Sequence, residues 1–152
     1  MIKRVLFTAL VMLMAVGVVV NAQNKATAKG VTEVVIEPVG DQMKYATTEF
    51  TVKSGDKVKL FMNNTATSPA MKHNVVILKP DSDIQKIGMA AVQAGEKAEY
   101  IPKDDAILFY TKMAGPGEKT TVEFTAPAPG KYPFICTFPG HFALMKGIMI
   151  VK

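Results

Sequence analysis

The sequence predicts an all-β sandwich with one helical insertion, and three observations carry the prediction. Apolar and polar residues alternate with period two through most of the chain after residue 30. Pro-Gly and Ser-Gly-Asp turn signals break those runs into short strands. A single segment, residues 81–101, departs from the pattern and is rich in Ala, Gln, Glu and Lys instead.

Taken in order, "VTEVVIEPV" opens the first strand at Val31. "EFTVKSGDKVKLFMNN" reads as two strands around a turn at Ser54–Gly55–Asp56. "HNVVILK" is a compact apolar run suited to a strand buried on both faces. In "DSDIQKIGMAAVQAGEKAEYI", Asp81, Ser82 and Asp83 offer helix caps, and Ile84, Ile87 and Ala91 share one helical face. "TTVEFTAPAPGKYPFIC" gives two further strands around Pro129–Gly130, and "KGIMIVK" closes the chain as a last strand. The sum is a β-sandwich with a helical insertion around residues 81–100.

Residues 1–22 have a different character. Lys3 and Arg4 precede an uncharged apolar run from Val5 to Val20, followed by "VNA" with a small residue at Ala22. This is the layout of a secretory signal peptide, and it places the mature chain in the periplasm. The apolar run also approaches bilayer-spanning length, so an uncleaved segment would be the chain's one route to a membrane. Residues 23–30, "QNKATAKG", read as a flexible lead-in, and 31–152 as one domain. Loss of the leader removes two cations and no acid from a formal balance of +5. The mild remainder is dispersed, which argues against nucleic acid as a partner.

The chemistry gathers in "CTFPGHFALMKG", Cys136 to Gly147. The sequence has one cysteine and two histidines. Cys136 and His141 sit in this loop with Met145, and His73 lies upstream in "MKHN". A lone cysteine forms no internal disulfide, and an exported thiol needs burial or ligation to escape oxidation. Two imidazoles and a thiolate in a plane, with a weak thioether on the axis, form the donor set of blue-copper electron transfer. Taken singly, His73, Cys136 and Met145 are each ordinary core residues. Their concurrence in an exported β-rich chain favours one copper ion held by His73, Cys136, His141 and Met145. Structural zinc prefers four Cys or His ligands, so this set suits it poorly. A two-copper centre would need a second cysteine.

"CTFPGHFALMKG" closely resembles the copper loop of the azurins, bacterial blue-copper proteins of the cupredoxin family. "MKHN", "GDQMKY", "GMAA" and "GEKTTVEF" are azurin-like as well, and auracyanin-type proteins are also similar. The resemblance spans most of residues 31–152. It implies an eight-stranded Greek-key sandwich with a type 1 copper site. Ligation would be by His73 Nδ1, Cys136 Sγ and His141 Nδ1, with Met145 axial. The Lys72 carbonyl would be a weak contact on the opposite axis, where azurins carry glycine. Asn74 would tie the two ligand segments together, and the N–H groups of Asn74 and Phe138 would point at the Cys136 sulfur. The azurin disulfide and core tryptophan are missing, and Phe142 stands where azurins often have a smaller residue.

The function expected from these readings is soluble one-electron transfer rather than enzymatic catalysis. An apolar patch of Met71, Pro139, Phe142, Ala143 and Leu144 around His141 is expected to dock partners transiently. Those partners would be redox proteins such as c-type cytochromes or a copper or haem reductase. Copper storage or delivery is the alternative, and the scattering of the ten methionines weighs against it.

Overall fold

A computed structural model describes residues 25–26 and 30–152. The expected signal segment lies outside the described residues, as does most of the lead-in. The strands are β1 (Lys25–Ala26), β2 (Val31–Ile36), β3 (Glu49–Val52), β4 (Lys57–Asn63), β5 (Val76–Leu78), β6 (Ile107–Tyr110), β7 (Lys119–Thr125), β8 (Gly130–Ile135) and β9 (Lys146–Val151). One sheet has the order β1-β2-β4-β7 and the other β3-β9-β8-β5-β6. Apart from the two-residue β1, this gives the expected eight strands in two layers, in an order consistent with a Greek key.

Alternation in the sequence becomes burial in the sandwich. In β4, Val58, Leu60 and Met62 are buried while the residues between them are not. β2 runs parallel to β4 in the register Val34↔Leu60, so their inward side chains meet across one face. β5 is buried at all three positions, and the reason is a second apolar layer. Ile77 joins the core between the sheets, whereas Val76 and Leu78 face outward onto Ile87 and Phe142. The cover is α1 (Ile84–Ala94), the expected helical insertion, followed by a 3-10 turn at Glu96–Ala98. Asp83 caps α1, its carboxylate accepting the Lys86 N–H at 3.0 Å.

β6 is absent from the segments that alternation picks out. Three of its four residues are half-buried and Tyr110 is exposed, so at the sheet edge neither a two-sided apolar run nor a clean alternation develops.

The sheet order decides where the chemistry lies. β5 and β8 are neighbours, with Val76 opposite Ile135, and β8 pairs with β9, with Ile135 opposite Lys146. His73 comes just before β5, Cys136 just after β8, and Met145 just before β9. All three strand ends therefore point to the same pole of the sandwich.

Candidate metal centre

Three donor atoms, from His73, Cys136 and His141, lie within 4.8 Å of one another, and all three residues are buried. The Cys136 Sγ is 3.9 Å from His73 Nδ1 and 3.7 Å from His141 Nδ1. Metal–nitrogen and metal–sulfur bonds of about 2.0–2.3 Å, set at 120°, would put such donors roughly 3.6–3.8 Å apart. The two Sγ–Nδ1 distances thus suit donors sharing one ion, and a thiolate with two imidazoles is a donor set that copper favours. Met145 is fully buried in the same loop.

The His73 segment is held mainly by hydrogen bonds. His73 and Ala114 exchange a backbone pair, His73 N–H to Ala114 O at 3.0 Å and Ala114 N–H to His73 O at 2.8 Å. The buried Asn64 side chain donates to Met71 O at 2.7 Å and Ala114 O at 3.0 Å, bracing both sides of that pair. Asn74 spans the two ligand segments as expected. Its Nδ2 donates to Thr137 Oγ1 at 2.8 Å, and its Oδ1 accepts the Thr137 N–H at 2.9 Å. Among the described residues His73 Nε2 is buried without a hydrogen-bond partner, so packing and the backbone bridge orient this ring.

The 136–147 loop is held differently. Cys136 N–H donates to Met145 O at 2.9 Å, which closes the loop at its neck. A turn with Leu144 N–H and Met145 N–H both reaching His141 O, at 3.0 and 2.8 Å, sets the spacing of His141 and Met145. Phe138 lies edge-on to the His141 ring, with centroids 4.9 Å apart, and Tyr100 is edge-on to Phe138 at 5.5 Å.

Phe142 corrects an expectation. It is not part of an exposed patch: it is only 6 % exposed and sits beneath α1 with Val76, Leu78, Ile87 and Ile135. The fit depends on Gly88, where an added Cβ would come within 2.2–2.5 Å of the Phe142 ring atoms. The large residue after His141 therefore fills a hollow that a glycine in the helix leaves. Ala143 and Leu144 do face solvent, Leu144 at 65 %, while Met71 and Pro139 are half-buried. The Lys72 side chain pairs with Glu96 at 3.1 Å on the surface.

Burial leaves all three donors uncharged near pH 7 in the metal-free protein. Burial pushes the Cys136 thiol up to about 11, against hydrogen bonds from the Asn74 and Phe138 N–H groups and from Tyr45 that favour the thiolate. Burial, with His141 adding a smaller effect, lowers His73 to about 4, and burial lowers His141 as well. Both imidazoles are thus neutral near pH 7, with lone pairs free to bind.

The sequence pointed to Asn74 and Phe138 through the resemblance, but not to Tyr45, Asn64 or Thr137. The contacts that bring them to the site, with Asn74 O, Ala114 O and Asn74 Nδ2, span 29, 50 and 63 residues, beyond any local pattern.

Residues 32–152 match the model of the copper-binding proteins of the plastocyanin/azurin family. The chain is 35 % identical to auracyanin-A of Chloroflexus aurantiacus over 129 residues, covering 83 % of this chain and 78 % of that one. It is 35 % identical to azurin of Pseudomonas putida over 119 residues, covering 74 % and 92 %. The solved structure of auracyanin A, titled a "blue" copper protein, superposes with a TM-score of 0.76 at 34 % identity, covering 81 % of this chain and all of that one. This chain therefore belongs to the plastocyanin/azurin family of copper-binding proteins, and copper is its metal.

Proposed function

We propose that this protein is a one-electron carrier working outside the cytoplasm, with Met145 completing the ligand set of His73, Cys136 and His141 and the Lys72 carbonyl at most a weak opposite contact. The observation that carries the reading is the buried group of two imidazole Nδ1 atoms and one sulfur, 3.7 and 3.9 Å apart, on a hydrogen-bonded frame. When bound, copper supplies the Cu(II)/Cu(I) couple, which this donor set suits in both states.

The chain's own residues do the rest. Cys136 gives up its thiol proton on metal binding, and the N–H groups of Asn74 and Phe138 then face the thiolate and spread its charge. The Asn74–Thr137 tie and the His73–Ala114 bridge keep the donors from moving apart as the charge changes, which keeps reorganisation small. His141, only 3 % exposed, shares its loop with the exposed Ala143 and Leu144, and this is the proposed port. A redox protein, such as a c-type cytochrome or a copper or haem reductase, would dock there briefly through a small apolar contact. Burial of every donor opposes the open exchange that storage or delivery requires. The apolar leader in residues 1–22 supports export to the periplasm.

The test is optical and electrochemical. Oxidised, copper-loaded protein is expected to show an intense visible thiolate-to-copper band that bleaches with one electron per chain. Cys136→Ser is expected to abolish the band and leave the fold intact. A wild-type protein without the band, or a serine variant that keeps it, overturns the reading.

A further inference from the structure

Tyr45 lies outside every part of the site that the sequence or the family resemblance assigns a role, yet it reaches the centre. It is fully buried, between β2 and β3, and a single backbone bridge with Pro38 holds its main chain. Its ring packs against Phe134 at a centroid distance of 5.5 Å. Its hydroxyl crosses the core and donates to the Asn74 backbone carbonyl at 2.5 Å. The same hydroxyl faces the Cys136 sulfur closely enough to favour the thiolate.

Asn74 is where this contact matters. Its N–H favours the Cys136 thiolate, its side chain makes both bonds to Thr137, and its carbonyl takes the Tyr45 hydroxyl. Two of those attachments join the ligand segments to each other. The third comes from a separate element, the β2–β3 connection, and joins the Ala114 bridge and the Asn64 brace in tying the ligand segments to the body of the sandwich. A phenylalanine would fill the same space in the core without making it. A tyrosine hydroxyl buried in such a core costs desolvation unless it is paired, so its partner is not incidental.

The geometry points to Tyr45 as a positioning residue of the copper site: by gripping the Asn74 carbonyl, its hydroxyl fixes how the Asn74 N–H meets the Cys136 sulfur and so sets the thiolate's hydrogen bonding and the reduction potential. Hydrogen bonds to the sulfur stabilise its negative charge and favour the reduced metal, as outer contacts do at other metal sites. The inference rests on the electron-carrier reading only in its consequence for the potential. Its structural half concerns the polypeptide alone.

Tyr45→Phe tests it, since the ring is kept and one oxygen is removed. In the copper-free protein, the amide protons of Asn74 and Thr137 are expected to exchange with solvent at least tenfold faster, while amides in β4 and β7 change less. In the copper-loaded variant, the potential is expected to fall and the thiolate-to-copper band to shift. Unchanged amide exchange together with an unchanged potential and band would overturn the inference and leave Tyr45 as core filler, even if the melting temperature drops. The wild-type protein gives a second check that does not depend on the variant folding. By NMR, the Tyr45 hydroxyl proton is expected to appear as a slowly exchanging, downfield resonance with a nuclear Overhauser contact to the Asn74–Val75 backbone. Its absence from that position would also overturn the inference. Failure of electron transfer with these amide effects intact would instead count against the carrier reading alone.

Discussion

The two segments that bring donors to the copper site are anchored by opposite means. The His73 segment hangs on buried polar contacts: the bridge to Ala114, the Asn64 brace, the Asn74–Thr137 tie and the Tyr45 hydroxyl. The loop from Cys136 to Met145 shares the Thr137 end of that tie but is otherwise closed at its neck by one backbone bond and moored at its middle by an aromatic ring under a helix. Hydrogen bonds fix direction, which suits a ligand that must point its Nδ1 into the core. Apolar packing fixes position with looser direction, which suits a loop whose other face must stay free. Phe142 and Leu144 show the division two residues apart. One is 6 % exposed and packs under the helix; the side chain of the other is 65 % exposed and belongs to neither apolar cluster.

Phe142→Ala is the strongest way to break this contrast. It removes a buried ring from the layer between α1 and β5, and the Gly88 hollow has no side chain with which to collapse into the space. The cost expected for a buried Phe→Ala is about 3–5 kcal/mol, read as a drop in the denaturant midpoint of the copper-free protein. Because His141 is the next residue, the visible band should broaden or shift as well. A loss under about 1 kcal/mol would mean that the loop is moored elsewhere.

The same contrast explains what the sequence does and does not reveal. Strands such as β4 and β9 and the helix α1 follow from local periodicity, because one neighbouring layer decides which side chains turn inward. His73, Cys136 and His141 were legible because their chemistry is rare: the sequence holds one cysteine and two histidines in all. The polar anchors were not, since nothing in "QMKYAT" says that a hydroxyl will meet a carbonyl 29 residues on. The inward turn of Phe142 was hidden for a similar reason. It depends on a glycine in a separate helix, and loop residues carry no periodicity from which a direction could be read. β6 escaped because an edge strand with half-buried side chains has no sharp pattern.

Acid should act on the polar segment and sharpen the comparison. His73 titrates at about 4 in the folded protein, against 6.5 in an ordinary setting. Below pH 6.5 the unfolded chain takes up a proton that the folded chain refuses until about pH 4, so stability is lost as the pH falls through that window and then levels off. The lowered His141 adds to the loss. For the copper-free protein this amounts to roughly 3 kcal/mol between pH 7 and pH 4. Copper-loaded protein should resist the same change until protons displace the metal. Chemical denaturation at a series of pH values checks it, and a flat profile for the copper-free form would show that the His73 pocket admits a charge.

Leu144→Lys probes the loop's outer face, where the expected effect is smallest in energy and confined to rate. The side chain is 65 % exposed and is not part of either apolar cluster, so stability should stay within about 0.5 kcal/mol of the parent. The visible spectrum should also be unchanged, because the change points away from the donors. Electron exchange is a different matter. Two copies that meet over His141 must bring apolar loops into contact, and a hydrated ammonium there has to be stripped of water or kept at a distance. Tunnelling weakens steeply with separation, and like charges on the two copies repel, so self-exchange is expected to slow about tenfold, an increment of roughly 1.4 kcal/mol in the barrier. NMR line broadening in mixtures of oxidised and reduced protein measures this without knowledge of the physiological partner. Added salt should recover part of the rate by screening the repulsion between the two lysines, but not the part due to desolvation. An unaltered rate would move the port away from the Ala143–Leu144 face, and the two halves of the loop would then differ in burial without differing in purpose.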